Sequence, residues 1–285
     1  MSKRQKAKID FDYTSELLEI VSILRDVASN HFYNTAKRKQ RFLEFANSFI
    51  DFFRMVNLSH AHHPLVHTTS PRVGILMITS EMGFMGEMTA KVIKTGYEES
   101  EKHPDCEFII IGTRGEQKLK QYNVNQHVEV FRDIEEHGLY KVTLMVKEYI
   151  TKQVLEGKLG KVIAIYPFAF NFTLIKPKVI KLLPSEELLT HQMEVKDTIE
   201  KVIVESDLND IIGYLANLWL TCRIYEMLED CVVAGFAAQA AQLEAAMERL
   251  KKDKKGLALA VKKAKKSDID KSLKEVFTAT LMMRK

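Results

Sequence analysis

The residue types that could do chemistry in this chain fall into a few groups, and none has the spacing of a working site. Four imidazoles crowd the segment His60-Ala61-His62-His63-Pro64-Leu65-Val66-His67, and such ligands can hold zinc or nickel. No cysteine or carboxylate stands among them, and Pro64 interrupts regular structure, so the segment reads as a solvated connector. Gly83-Phe84-Met85-Gly86 could cradle a phosphate, because glycines let backbone amides approach an anion. It lacks both the G-x-G-x-x-G pattern and a Walker lysine, and Glu81 and Glu87 would repel a phosphate. The better reading is a glycine turn joining a strand to a helix, with substitution at Gly83 expected to disturb folding.

Cys106, Cys222 and Cys231 are isolated, odd in number and without metal-ligand spacing, which fits buried thiols in a reducing compartment. Lys251, Lys252, Lys254, Lys255, Lys262, Lys263, Lys265 and Lys266 form a run opposed only by Asp253. Such a run could meet a polyanion. No aromatic or arginine interleaves it, and Leu257, Val261 and Ala264 continue a helical face through it. It reads as a solvated helix face, or one that meets acidic protein loops. No nucleophile–base–acid set, paired catalytic carboxylates or metal motif appears, so no catalytic, cofactor or metal ligand is assigned.

What positions these groups is set by where the chain can be broken. All 6 prolines lie between Pro64 and Pro184, and past Gly160 the only glycines are Gly213, Gly235 and Gly256. Proline and glycine are the strongest breakers of regular structure. Their segregation draws a turn-rich middle between two long uninterrupted segments. Composition adds that the chain is a folded protein: 46% hydrophobic, 28% charged, net charge +4 over 285 residues. No run approaches the ~20 apolar residues of a membrane helix. The basic start, Met1 to Lys6, is followed by Asp10, Asp12 and Glu16 and is neither a signal nor a transit peptide. The expected compartment is the cytoplasm.

From Asp12 to Val56 apolar residues recur at helical spacing: Leu17, Ile20, Val21, Leu24, Val27, then Phe42, Phe45, Phe49, Phe52, Val56. One helix over that stretch is roughly 65 Å long. Near the other end, Leu208, Ile211, Leu215, Leu218, Cys222 and Tyr225 alternate in threes and fours, the seam of a coiled coil. Val232, Phe236 and Ala240 then slip the heptad. Ser206 and Asp207 are caps for its start. Continuous to the end, this helix runs on the order of 120 Å. The two helices pack antiparallel, and the longer leaves part of itself uncovered. Its tip, Val276-Phe277-Thr278-Ala279-Thr280-Leu281-Met282-Met283, is too apolar for a fraying terminus and suits a partner's socket.

In the middle, Arg72–Ser80, Cys106–Gly112, Val128–Phe131 and Val162–Tyr166 read as strands, Ile134–Glu156 as a helix, and Phe172–Leu183, with Pro177 inside, as an edge strand. Strands alternating with helices predict a mainly parallel sheet covered on both faces. The fold class is therefore α/β: a long antiparallel coiled coil of the N- and C-terminal helices with an inserted Rossmann-like domain. The expected segments are 1–60, 61–200 and 201–285.

Several local sequences then converge. Ile78-Thr79-Ser80-Glu81-Met82-Gly83-Phe84-Met85-Gly86 is similar to a strand-end signature Thr-Ser-acidic-x-Gly-Leu-Cys-Gly-Gly. Ile111-Gly112-Thr113-Arg114-Gly115 matches an Ile-Gly-basic-Gly turn, and Lys176-Pro177 to Leu182-Leu183-Pro184 a strand ending in Leu-Leu-Pro. His63-Pro64-Leu65 matches a common loop sequence. In this order and over essentially the full length, the chain resembles the gamma subunit of F-type ATP synthases, the central rotor shaft. Ala234-Gly235-Phe236-Ala237-Ala238-Gln239 stands where that family has Ser-Glu-His-Ala-Ala-Arg, and Lys262 to Lys266 with Ile269 where it has Asn-Lys-Ala-Arg-Gln and Ile-Thr. Met85 and Glu87 replace a cysteine and a glycine, which marks a divergent member.

The resemblance implies a non-catalytic subunit, one copy per complex, of an ATP-synthesising and ATP-hydrolysing, ion-translocating rotary motor. Its partners are the alpha and beta subunits of an alpha3-beta3 ring, the epsilon subunit and the membrane c-ring, on the cytoplasmic side of the cell membrane. Phe277, Leu281, Met282 and Met283 would sit in the bearing, and the lysines from Lys251 to Lys266 would face the catalytic subunits. Gly83, Gly86, Gly112, Arg114 and Gly115 would be the family-like turn residues, of which Arg114 and the Gly83–Gly86 turn would help form the foot. No nucleic acid partner and no cofactor is implied. A second reading is a coiled-coil scaffold with an α/β head that binds nucleic acid or protein through the lysine run.

Overall fold

The computed structural model describes residues 3–55, 63–65, 70–81, 83–132, 138–184 and 207–283, without the side chains of 40–55, 208 and 281. The elements are α1 (Lys3–Met55), β1 (Val73–Ile78), α2 (Gly86–Ser100), β2 (Cys106–Ile111), α3 (Thr113–Leu119), β3 (Val128–Phe131), α4 (Leu139–Leu155), β4 (Lys161–Ala169), β5 (Ile175–Leu183) and α5 (Leu208–Met282). Single 3-10 turns precede α2 and follow α3. Helices of 53 and 75 residues thus bracket the sheet, as the breaker-free ends predict. Asp207 Oδ1 accepts the Asn209 N–H at 2.8 Å, the cap expected at the start of α5. Ser206, the stripe Phe42 to Val56 and the first residues of the expected Ile134 helix lie outside the described residues or side chains.

The sheet runs β3-β2-β1-β4-β5, all neighbours parallel except the β4–β5 hairpin at the edge. Each of β1 and β2 is buried along its whole length, because the sheet is covered on both sides and the strands need no polar face. From β1 the chain steps outward through α2 to β2 and through α3 to β3. It then returns through α4 to β4 on the other side of β1. Reversing direction along a right-handed crossover puts α4 on the opposite face from α2 and α3. Accordingly Ile75, Met77, Phe108 and Ile110 pack with Val92, Ile93 and Leu119 on one face. Leu76, Ile78, Ile109 and Ile111 pack with Val142, Val146 and Ile150 of α4 on the other.

That second face is finished by α5. Ile212, Leu215, Ala216, Trp219, Leu220, Ile224, Met227, Leu228 and Cys231 join the same cluster. The expected seam is therefore incomplete here. Leu215 and Cys222 are buried as predicted, but the buried arc is wider than a coiled-coil stripe because this segment of α5 is a core helix of the α/β unit.

The chain divides into two units, one of residues 30–238 and one of residues 1–29 with 239–285. In the first, α1 runs antiparallel to α5: His31 stacks on Phe236 at 4.9 Å, and Arg38 reaches Glu229 at 3.1 Å. In the second the direction is the same. Lys254 lies 5.6 Å above the Phe11 ring, and Arg25 pairs with Glu244 at 2.7 Å.

The face α1 uses in that second unit corrects the sequence reading. Its less exposed positions include Ala7, Phe11, Thr14, Leu17, Leu18, Val21, Arg25 and Ala28, while Ile20, Leu24 and Val27 are 54, 46 and 46% exposed. On α5 the matching steps are Ala240, Leu243, Met247, Leu250, Lys254, Leu257, Val261 and Ala264. Of the expected stripe, Leu17 and Val21 are half-buried and Ile20, Leu24 and Val27 face outward, because the seam also takes small and mixed residues that a ranking by hydrophobicity passes over.

Gly160 opens β4, and its N–H bonds Arg72 O at 2.9 Å. A Cβ there would lie 1.7 Å from the Ser70 carbonyl oxygen, a backbone atom that cannot swing aside. Gly160→Ala is expected to destabilise the α/β unit by about 2–4 kcal/mol, read as a lowered urea midpoint with an unchanged slope.

Candidate functional site

At the carboxyl ends of β1 and β2, two sequence motifs more than thirty residues apart are tied into one corner. Thr79, just past β1, is fully buried, and both its N–H (2.9 Å) and its hydroxyl (2.8 Å) donate to Ile111 O. Gly112, just past β2, sits at φ +109°, where a side chain is strained, and its N–H bonds Phe131 O at 2.9 Å. Glu81 accepts the Thr113 N–H and so caps α3 with a carboxylate, a favourable charge at a helix start. Arg114 lies 4.0 Å from the same carboxylate. A Cβ on Gly115 would fall 2.5 Å from Thr79 Oγ1. The strand-end signature and the Ile-Gly-basic-Gly turn are thus complementary halves of one packing contact.

Gly83 and Gly86 behave differently from the expectation. A Cβ on either meets nothing within 4 Å, so the spatial constraint falls on Gly112 and Gly115. The turn they flank matters through its methionines. Met85 and Met88 bury against Ala234 of α5, with Ala169, Ile175 and Ala238 alongside. The alanine-rich stretch of α5 supplies the small surface that admits them.

The hairpin loop between β4 and β5 closes on α1. Phe172 lies edge-on to Phe32 at 5.3 Å and stacked on Tyr33 at 6.4 Å. Lys178 sits 4.4 Å above the Phe168 ring, and Lys39 of α1 is 5.3 Å from the same ring. The Tyr225 hydroxyl donates to Glu229 at 2.8 Å, and burial beside that carboxylate pushes its pKa up to about 12. Burial likewise pushes the Cys231 thiol up to about 12 and raises those of Cys106 and Cys222, so all three are unreactive thiols at neutral pH.

His63 is the described member of the histidine cluster; His60, His62 and His67 lie outside the described residues. Its Nδ1 accepts the Leu65 N–H at 3.3 Å, and its ring packs so close to α5 that a Cβ on Gly213 would be 3.0 Å from Nε2. Burial lowers its pKa. Among the described residues no three His, Cys, Asp or Glu converge as metal ligands, and no helix is long and apolar enough to cross a membrane.

In the unit of residues 1–29 and 239–285, the lysine run divides. Lys254 belongs to the seam over Phe11, and Lys251 donates to Glu248 at 2.7 Å. Lys252, Lys255, Lys262, Lys263, Lys265 and Lys266 point to solvent. Beyond Asp268 every described side chain of α5 is exposed. Ile269, Leu273, Val276, Phe277, Met282 and Met283 are 50–89% exposed, a cluster of large apolar groups of the kind that marks an interaction surface. The Leu281 side chain lies outside the described ones.

Comparison with known proteins bears on what this arrangement serves. A family model described as ATP synthase matches residues 6–280. An ATP synthase gamma chain of Opitutus terrae is 23% identical over 235 residues, 78% of this chain and 78% of that one. The ATP synthase gamma chain of Maridesulfovibrio salexigens is 21% identical over 268 residues, 90% and 91% of the two chains. Among solved structures, the fold is similar to a chain of the Tetrahymena thermophila mitochondrial ATP synthase central stalk and c-ring, with TM-score 0.58, 16% identity and coverage of 80% and 99%. A chain of the Euglena gracilis mitochondrial ATP synthase gives TM-score 0.50 at 11% identity, covering 94% and 95%.

The corner between the two turns makes a specific demand. Gly112→Ala is expected to destabilise the protein by about 2–3 kcal/mol, from positive φ and the contact with Thr79. Gly83→Ala should stay within about 0.5 kcal/mol of the parent. Urea unfolding of the two variants side by side checks the contrast.

Proposed function

The chain belongs to the ATP synthase gamma-chain family, and from that premise we propose that it is the central-stalk rotor subunit of an F1-type rotary ATPase. The observation that carries this reading is the family match across residues 6–280, over a chain whose two end helices pack antiparallel around an inserted α/β sheet. The chain contributes no catalytic group in this role; it couples rotation to the chemistry of its partners. Residues 1–60 and 201–285 serve as the shaft and 61–200 as the foot.

The physical demands of a shaft agree with the chain. Torque must be carried without bending, and neither long helix contains a proline that would kink it. Phe277, Leu281, Met282 and Met283 seat in the bearing of an alpha3-beta3 ring, where burial recovers their apolar surface. The outward lysines between Lys251 and Lys266 face acidic loops of the catalytic subunits, an attraction that salt weakens. The corner of Gly112, Arg114 and Gly115, with the turn at Gly83 and Gly86, supports the foot against epsilon and the c-ring. The complex lies on the cytoplasmic side of the cell membrane as a peripheral assembly. The scaffold reading rests on the lysine run alone, whereas the family match spans residues 6–280.

Reconstitution with alpha- and beta-type ATPase subunits tests this. Phe277→Ala is expected to weaken assembly by about 1–2 kcal/mol, roughly tenfold in affinity. Deleting residues 276–285 should lower torque or assembly further. A truncated chain that assembles and drives rotation-coupled hydrolysis normally overturns the bearing assignment.

A further inference from the structure

Where α1 lies on α5 in the unit of residues 30–238, three acids are packed out of water against bases that satisfy them unevenly. From α5 come Glu226, Glu229 and Asp230, with side-chain exposures of 13, 2 and 5%. Glu226 is met by Arg223 of its own helix at 2.7 Å, and Glu229 by Arg38 of α1 and the Tyr225 hydroxyl. Asp230 has one direct partner, Lys39 of α1, which donates to Oδ1 and also stands 3.8 Å from Glu226. One buried ammonium therefore serves two carboxylates. Lys178 of β5 contributes a more distant positive field, and the neighbouring Cys231 is a neutral thiol. Asp230 Oδ2 is buried with no hydrogen-bond partner. A buried, unpartnered anionic oxygen is expensive, and a proton placed there removes the charge at its source.

We propose that Asp230 is a proton-binding site whose occupancy sets how firmly α1 is held on α5. With the proton on Oδ2, Asp230 is neutral, no buried oxygen is left charged without a partner, and Lys39 turns its charge to Glu226. With the proton gone, Oδ2 is a buried anionic oxygen without a partner, and the contact between the helices loosens. The direction agrees with the pKa of Asp230, raised from 3.8 to about 6 by burial first, with Glu226 adding to the rise and Lys39 opposing it. For an acid whose folded pKa lies above its unfolded value, the folded state binds the proton more tightly. Stability from this group is therefore gained as pH falls through about 6, levels off below about 4, and is absent above about 7.

The test uses the full chain, with Trp219 as a built-in reporter, since this single tryptophan is buried in the same α5 segment. Between pH 7 and pH 4, one site of this kind should raise the folding constant about 50-fold relative to Asp230→Asn, in which the site is absent. The Asp230 carboxyl carbon, followed by NMR in the folded chain, should titrate near 6. Glu226→Gln should lower that midpoint and Lys39→Met should raise it. A wild-type midpoint at or below about 4 overturns the proposal. So does an Asp230→Asn chain with the same pH dependence as the parent. Should Asp230→Asn not fold, the NMR midpoint alone decides. Because the measurement concerns the chain's own packing, its failure leaves the rotor reading intact.

Discussion

The α/β unit depends on one non-local contact, the seating of α5 on the sheet face that α4 covers only in part. Ile212 through Cys231 join Leu76, Ile78, Ile109 and Ile111 in a single cluster, although a hundred or more residues separate them along the chain. Each buried Leu, Ile or Met adds about 1.5–3 kcal/mol of transfer free energy, so several of them dominate that face. The constraint has a kinetic side. The sheet cannot close its core until the far end of the chain arrives, and such distant closure is slow. It also explains why one helix needs two characters. Along the sheet α5 is buried nearly all round; past Gln239 it is a helix with one narrow seam and solvent on the rest.

Most of the architecture was legible in the residues. The runs Val73–Ile78 and Cys106–Ile111 announce doubly covered strands, Pro177 marks the edge strand, and Asp207 caps α5 where expected. What misled the periodicity on α1 was physical. Ile20, Leu24 and Val27 share a helical stripe as regular as a seam, yet they face away from α5. The seam itself contains Thr14, Arg25 and Ala28, because the close approach to α5 favours small side chains and because Arg25 finds Glu244. An apolar stripe left outside is consistent with a shaft that other subunits enclose.

The site was legible in part. Local sequence picked out Gly112 and Gly115 and the turn at Gly83, but gave all of them equal weight. The difference lies in what stands opposite, Thr79 for the first pair and open space for the last, and no local signal carries it. Glu81 was read as a group that repels phosphate; it caps α3 across the corner, a partner thirty-two positions away. Glu229 and Asp230 look like surface acids on an exposed helix, and only the return of α1 buries them against Arg38 and Lys39. The stretch Ala234 to Gln239 departs from the family's Ser-Glu-His-Ala-Ala-Arg, yet its Ala234 and Ala238 form the seat for Met85 and Met88.

The rotor role is tested most directly by isolating the complex that contains the endogenous chain and weighing it intact by native mass spectrometry. The account predicts one copy of this chain bound to three alpha-type and three beta-type ATPase subunits. A homodimer free of those subunits, or a nucleoprotein complex that salt dissolves, would contradict it.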